Sequence, residues 1–148
     1  MAPRSSFVRP EGGLVVLVVN PRRDDLLSLR GLLPSNWTLY IAGDAAGAKQ
    51  ILSQNSIPVL LCESELPDGN WKDLLAAVAE IPSPPLLIVT SRLADEFLWA
   101  EVLNLGGYDV LAKPFNSLEF IRVLSMAWRR WKSEWNGGSS ESAMAQGA

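Results

Sequence analysis

The sequence predicts an α/β fold in which five short parallel strands form one sheet, with helices wound over both faces. Three observations carry this. Aliphatic runs of four to six residues, such as residues 14–19 and 86–89, alternate with longer amphipathic stretches along most of the chain. The runs are apolar throughout and rich in β-branched residues, as strands buried on both faces must be. A helical stretch separates each strand from the next, which dictates parallel pairing through right-handed crossovers.

The elements follow in order. Residues 14–19 form the first strand, and residues 24–33 a helix with Leu26, Leu29 and Leu33 at helical spacing, stopped by Pro34. Residues 37–42 are the second strand. Asp44 is the expected N-cap of a helix reaching residue 54, because its carboxylate can accept from the unpaired N–H groups of the first turn. Residues 58–62 are the third strand, closed by the turn Leu66-Pro67-Asp68-Gly69, where proline presets φ and glycine tolerates a positive φ. Residues 71–80 are helical until Pro82, Pro84 and Pro85. Residues 86–89 give the fourth strand, residues 93–105 a helix ended by Gly106-Gly107, and residues 108–112 the fifth strand. A long last helix covers residues 117–135. Residues 1–13 and 136–148 are polar, small and punctuated by Gly and Pro, so a flexible N-terminal segment and a disordered tail are expected around one domain at 14–135.

Composition removes several function classes. The chain has 148 residues, thirteen Lys or Arg, sixteen Asp or Glu, a net charge of −3 and no histidine. Histidine general-base chemistry, Ser-His-Asp catalysis and histidine metal sites are therefore absent. The slight acidity argues against general nucleic-acid binding, and the thirteen residues after Trp135 are too few for a nucleic-acid-binding module. No apolar run approaches the ~20 residues of a membrane span, and none near the start resembles a secretory signal. A cytoplasmic setting is expected. Cys62, the single cysteine, forms no internal disulfide and reads as a small buried hydrophobe.

In a doubly wound sheet, function gathers at the carboxyl ends of the strands. Those ends carry Asn20-Pro21, Ala42-Gly43, Glu63, Thr90-Ser91 and Lys113-Pro114. Four landmarks appear there in order: an aliphatic strand before Asn20, VLLCESELPDG, LLIVTS and GGYDVLAKPF. Together they resemble the response-regulator receiver domain of two-component signalling, over roughly residues 14–128. The resemblance implies a flavodoxin-like sheet of order 2-1-3-4-5 with five helices. It also implies a strand-end aspartate that accepts a phosphoryl group, an acidic pair holding Mg²⁺, and a Thr or Ser and a Lys binding the phosphoryl oxygens. Anchored on LPDG, the acceptor position falls on Glu63, the hydroxyl on Thr90 and the lysine on Lys113.

The departures fall on the chemistry. Asn20-Pro21 replaces the acidic pair, although Mg²⁺ favours carboxylate oxygens. Glu63 is one methylene longer than aspartate, and a displacement of about 1 Å can cost ~100-fold in rate. The site resembles that of a degenerate, or pseudo-, receiver: Glu63, Thr90, Lys113 and Asn20 should converge without metal or cofactor, with Glu63 as a fixed negative charge approached by Lys113. Val110 stands where receivers often carry an aromatic switch residue. Arg22-Arg23-Asp24-Asp25 reads as a solvated helix start.

Trp128, Trp131 and Trp135 share a broad face of the last helix. Trp128 should pack on the domain, whereas Trp131 and Trp135 should outrun the sheet. Flanked by Arg129 and Arg130, they form an expected contact surface for another signalling protein or, as a homodimer, a second copy, through the fourth and fifth helices. The expected function is therefore non-enzymatic signalling by protein–protein interaction. Two alternatives stand beside it: a phosphorylatable receiver using Glu63 or an unusual metal arrangement, and a flavodoxin-like binder of a small molecule or cofactor. The first loop, NPRRDD, lacks the Ser, Thr or Gly that wraps a cofactor phosphate.

Overall fold

The computed structural model describes residues 13–135 with their side chains. The expected flexible segment and tail lie outside the described residues, apart from Gly13, which is buried. The main strands are β1 (Val15–Val19), β2 (Thr38–Ala42), β3 (Val59–Glu63), β6 (Leu86–Ser91) and β7 (Asp109–Ala112). They pair in parallel in the order β2-β1-β3-β6-β7, which is the expected order for five strands. The other two strands, β4 (Glu65–Leu66) and β5 (Gly69–Asn70), form a two-residue antiparallel bridge across the LPDG turn.

Alternation along the strands divides the core in two, since successive side chains point to opposite faces. Leu17, Leu60, Val89, Leu74 and Val102 meet on the face covered by α2 (Ala45–Gln54), α3 (Trp71–Val78) and α4 (Glu96–Leu105). Val16, Val18, Leu61, Ile88, Leu29 and Phe120 meet on the other, under α1 (Arg23–Leu32) and α5 (Ser117–Gly147).

Capping decides where helices start. Asp44 accepts from the Gly47 N–H, as expected, and Asn70 and Asp73 form a reciprocal capping box on α3. Asp95 accepts from the Leu98 N–H, so α4 begins at Glu96 rather than at the expected residue 93, and Leu93 is left exposed. Gly106 ends α4 with φ +105°, a conformation that penalises any Cβ. Asp68 makes a second tie. Its carboxylate accepts from the Ala45 and Ala46 N–H groups at 2.9 and 3.0 Å, fastening the loop after β3 to the start of α2. Among the described residues, no helix is long and apolar enough to cross a membrane.

Candidate functional site

Register brings the expected residues together. Glu63 and Thr90 are direct partners on β3 and β6, and Ser91 pairs with Ala112, which sets Lys113 just beyond the end of β7. Backbone bonds hold the exits: Asn20 N–H donates to the Ala42 carbonyl and Lys113 N–H to the Ser91 carbonyl. Glu63, Thr90, Lys113 and Asn20 therefore gather at one edge of the sheet, as expected.

Glu63 is held at both oxygens. Oε1 accepts from the Thr90 hydroxyl at 2.8 Å and Oε2 from the Lys113 ammonium at 2.8 Å. Asn20 Nδ2 lies 3.5 Å from Oε1, at the limit of a hydrogen bond. Glu63 is 8% exposed and Thr90 1%, so these contacts form largely out of water and are screened little by salt.

The sequence reading missed Asp25. It is not part of a solvated helix start: it is 8% exposed and its Oδ2 accepts from Lys113 Nζ at 2.7 Å and from Asn20 Nδ2 at 3.1 Å. Burial works against its ionisation, but the hydrogen bonds from Lys113 and Asn20, together with the charges of Lys113 and Arg22, outweigh burial and hold its carboxyl below the usual value. A signal was available, because Asp25 precedes Leu29 by four residues and so shares the face that α1 turns to the sheet. An acidic residue in a first helical turn also suits the helix dipole, and that commoner role masked the buried one.

The donor set can be tested for a divalent cation. Pro21 has no side-chain oxygen, and Asn20 Oδ1 already accepts from the Arg22 N–H at 2.8 Å. The space between the two carboxylates is taken by the Lys113 ammonium, with less than a tenth of its side chain exposed. These residues do not fit Mg²⁺, which asks for several free hard oxygens in near-octahedral array. Cys62, one residue before Glu63, is buried, and burial together with the neighbouring Glu63 charge pushes its thiol up to about 12, so it stays protonated.

The expected contact residues divide. Trp131 is 5% exposed and donates its indole N–H to the Ser83 carbonyl, so it does not stand clear of the domain. The proline-rich segment 81–85 lies against α5 at Trp131. Trp135 is half-exposed and stacks on Trp131, with ring centroids 6.5 Å apart. Arg129 is exposed, whereas Arg130 pairs with Glu134 and lies over the Tyr108 ring. Trp128 packs against the α1/α5 core, as expected. The sequence reading did not single out the exposed apolar residues of α4, namely Phe97, Trp99, Leu103 and Leu105.

Comparison with known proteins agrees with this fold. The chain is 30% identical over 122 residues to the transcriptional regulatory protein CpxR of Escherichia coli K12, covering 82% of this chain and 51% of that one. It is 29% identical over 94 residues to the TorCAD operon transcriptional regulatory protein TorR of the same organism, covering 63% of this chain and 40% of that one. The signal receiver domain of an HD domain-containing protein from Pseudomonas fluorescens Pf-5 superposes with a TM-score of 0.76 at 29% identity, covering 83% of this chain and 92% of that one. The chain folds as a response-regulator receiver domain. No family model matches the chain. The chain spans about half or less of the length of the regulators it matches.

Proposed function

We propose that this receiver is a signalling module of a two-component phosphorelay that is not phosphorylated and acts by contact with another protein. The observation that carries this reading is the saturated Glu63 carboxylate, with Thr90 on one oxygen and Lys113 on the other. In receivers those two residue types bind the oxygens of a phosphorylated aspartate. Here the longer glutamate brings its own charge to them, so the site rests in an ion-paired arrangement resembling the phosphorylated one. In-line phosphoryl transfer depends on positioning and on metal or cationic charge at the phosphoryl oxygens. Lys113 already divides its charge between Asp25 and Glu63, and the Asn20-Pro21 pair adds no carboxylate. The loop after β1 is also a poor cradle for a cofactor phosphate, because Asn20 takes the Arg22 N–H.

The contact surface in this reading lies on α4 and α5. A helix that is apolar nearly all round needs cover, and α4 leaves Phe97, Trp99 and Leu103 exposed beside Glu96 and Glu101. On α5, Leu118, Arg122, Met126 and Arg129 share one exposed face. The acidic and basic faces suit a second copy or a signalling partner of like design.

Acetyl phosphate with Mg²⁺, followed by intact mass, tests the reading. The expected mass is that of the unmodified chain. A stoichiometric phosphoryl adduct that Glu63→Gln abolishes would establish a working acceptor and overturn it.

A further inference from the structure

We propose that the cleft between α3, the segment 83–85 and the Trp131–Trp135 stretch of α5 binds a small planar aromatic molecule. The cleft lies by the start of β6, at the sheet edge opposite Glu63, and is unconnected with the acceptor site. Its volume is about 510 Å³, inside the ~300–1,000 Å³ range of small-molecule sites. It is walled rather than flat. Ala76 of α3 and the C-cap residue Ala79 leave room on one side, Pro84 and Pro85 stiffen the second, and the Trp131–Trp135 stack forms the third. Parallel indoles offer an aromatic ligand a face to stack on.

Two features of Ser83 favour a binding role over plain packing. Its φ is +54°, the only positive value at a non-glycine position among the described residues. Its hydroxyl is buried with no hydrogen-bond partner in the fold. Strained backbone and unpaired polar atoms both cost stability and cluster where proteins bind ligands. The Trp131 indole N–H on the Ser83 carbonyl fastens this strained residue to the aromatic wall.

Charge does not narrow the ligand class further. Lys72 and Glu134 both line the cleft, and each sits in an exposed surface pair, Lys72 with Glu101 at 2.7 Å and Glu134 with Arg130 at 2.9 Å. Such pairs are weak, so one cation and one anion stand at the rim and recognition rests on the aromatic wall.

Anilinonaphthalene sulfonate, added to the full chain, is a suitable probe. Dye fluorescence excited through tryptophan should rise to saturation at one site. Ala79→Trp, which fills the cleft from an exposed position, should weaken binding by at least about tenfold with the melting temperature held. Lys72→Gln should change it by no more than about twofold, and Phe97→Ser, on the exposed α4 surface, should leave it unchanged. Trp135→Ala, which removes one ring of the wall, should also weaken binding and decides the matter if Ala79→Trp fails to fold. Unsaturable binding, binding that survives both Ala79→Trp and Trp135→Ala, or binding lost in Phe97→Ser would overturn the proposal.

Discussion

The two ends of the sheet solve opposite problems. At the carboxyl end, polar groups are buried and every one of them is matched: Lys113 serves Asp25 and Glu63, Thr90 serves Glu63, and Asn20 serves Asp25 and the Arg22 N–H. At the amino end the surface is apolar and imperfectly finished, with an unpaired Ser83 hydroxyl, a left-handed Ser83 and a half-exposed Trp135 beside an open cleft. A buried charge cluster is stable only when complete, because removing one member leaves the others desolvated and unpaired. An apolar wall tolerates being left open, at the cost of exposed rings. The difference locates where a single substitution is expensive and where a ligand or partner still has something to gain.

Lys113→Met should show the largest effect, since it strands two buried carboxylates. A loss of about 3 kcal/mol or more is expected in urea unfolding. Adding Glu63→Gln should restore part of it, because the double variant has one fewer unpaired charge. Equal losses in the single and double variants would mean that Lys113 acts by packing alone.

Asp25→Asn should cost about 1.5 kcal/mol at neutral pH through its charged hydrogen bonds. Its pH dependence has a defined sign. The folded-state pKa lies below the ordinary 3.8, so the contribution is complete above that value and disappears as pH falls through the lower folded value. Acid unfolding of the wild type should therefore be steeper below pH 3.8 than that of Asp25→Asn; identical acid limbs would deny Asp25 its ion pair.

A smaller and more local effect is expected from Asp68→Ala. Hydrogen exchange at the Ala45 and Ala46 amides should accelerate, while amides in β3 and β6 keep their protection. Smallest of all in stability is Phe97→Ser on α4, expected to stay within about 0.5 kcal/mol. Its readout is sedimentation: a self-associating wild type should become more monomeric, and unchanged association would place the contact elsewhere.

Much of this architecture could be read from residue patterns. Continuous aliphatic runs admit few structures other than central parallel strands, and caps such as Asp44 and Gly106 mark helix ends by local chemistry. Glu63, Thr90 and Lys113 were legible because each ends a strand, and parallel register gathers strand ends. Asp25 was not, because its partner lies 88 residues away and its position also suits an ordinary helix start. Trp131 was misjudged for a related reason. Helix length showed that α5 outruns a five-residue strand, but nothing local showed that the segment 81–85 would lie against it at Trp131.

The central claim is that the Lys113 and Thr90 contacts leave Glu63 no room for a phosphoryl group or its metal. Beryllofluoride with Mg²⁺, followed through the backbone amide spectrum, tests it most directly, because the complex mimics an acyl phosphate at equilibrium and needs no donor. The account predicts no saturable shift at Glu63, Thr90 or Lys113. Saturable shifts at these three residues, absent in Glu63→Gln, would contradict it.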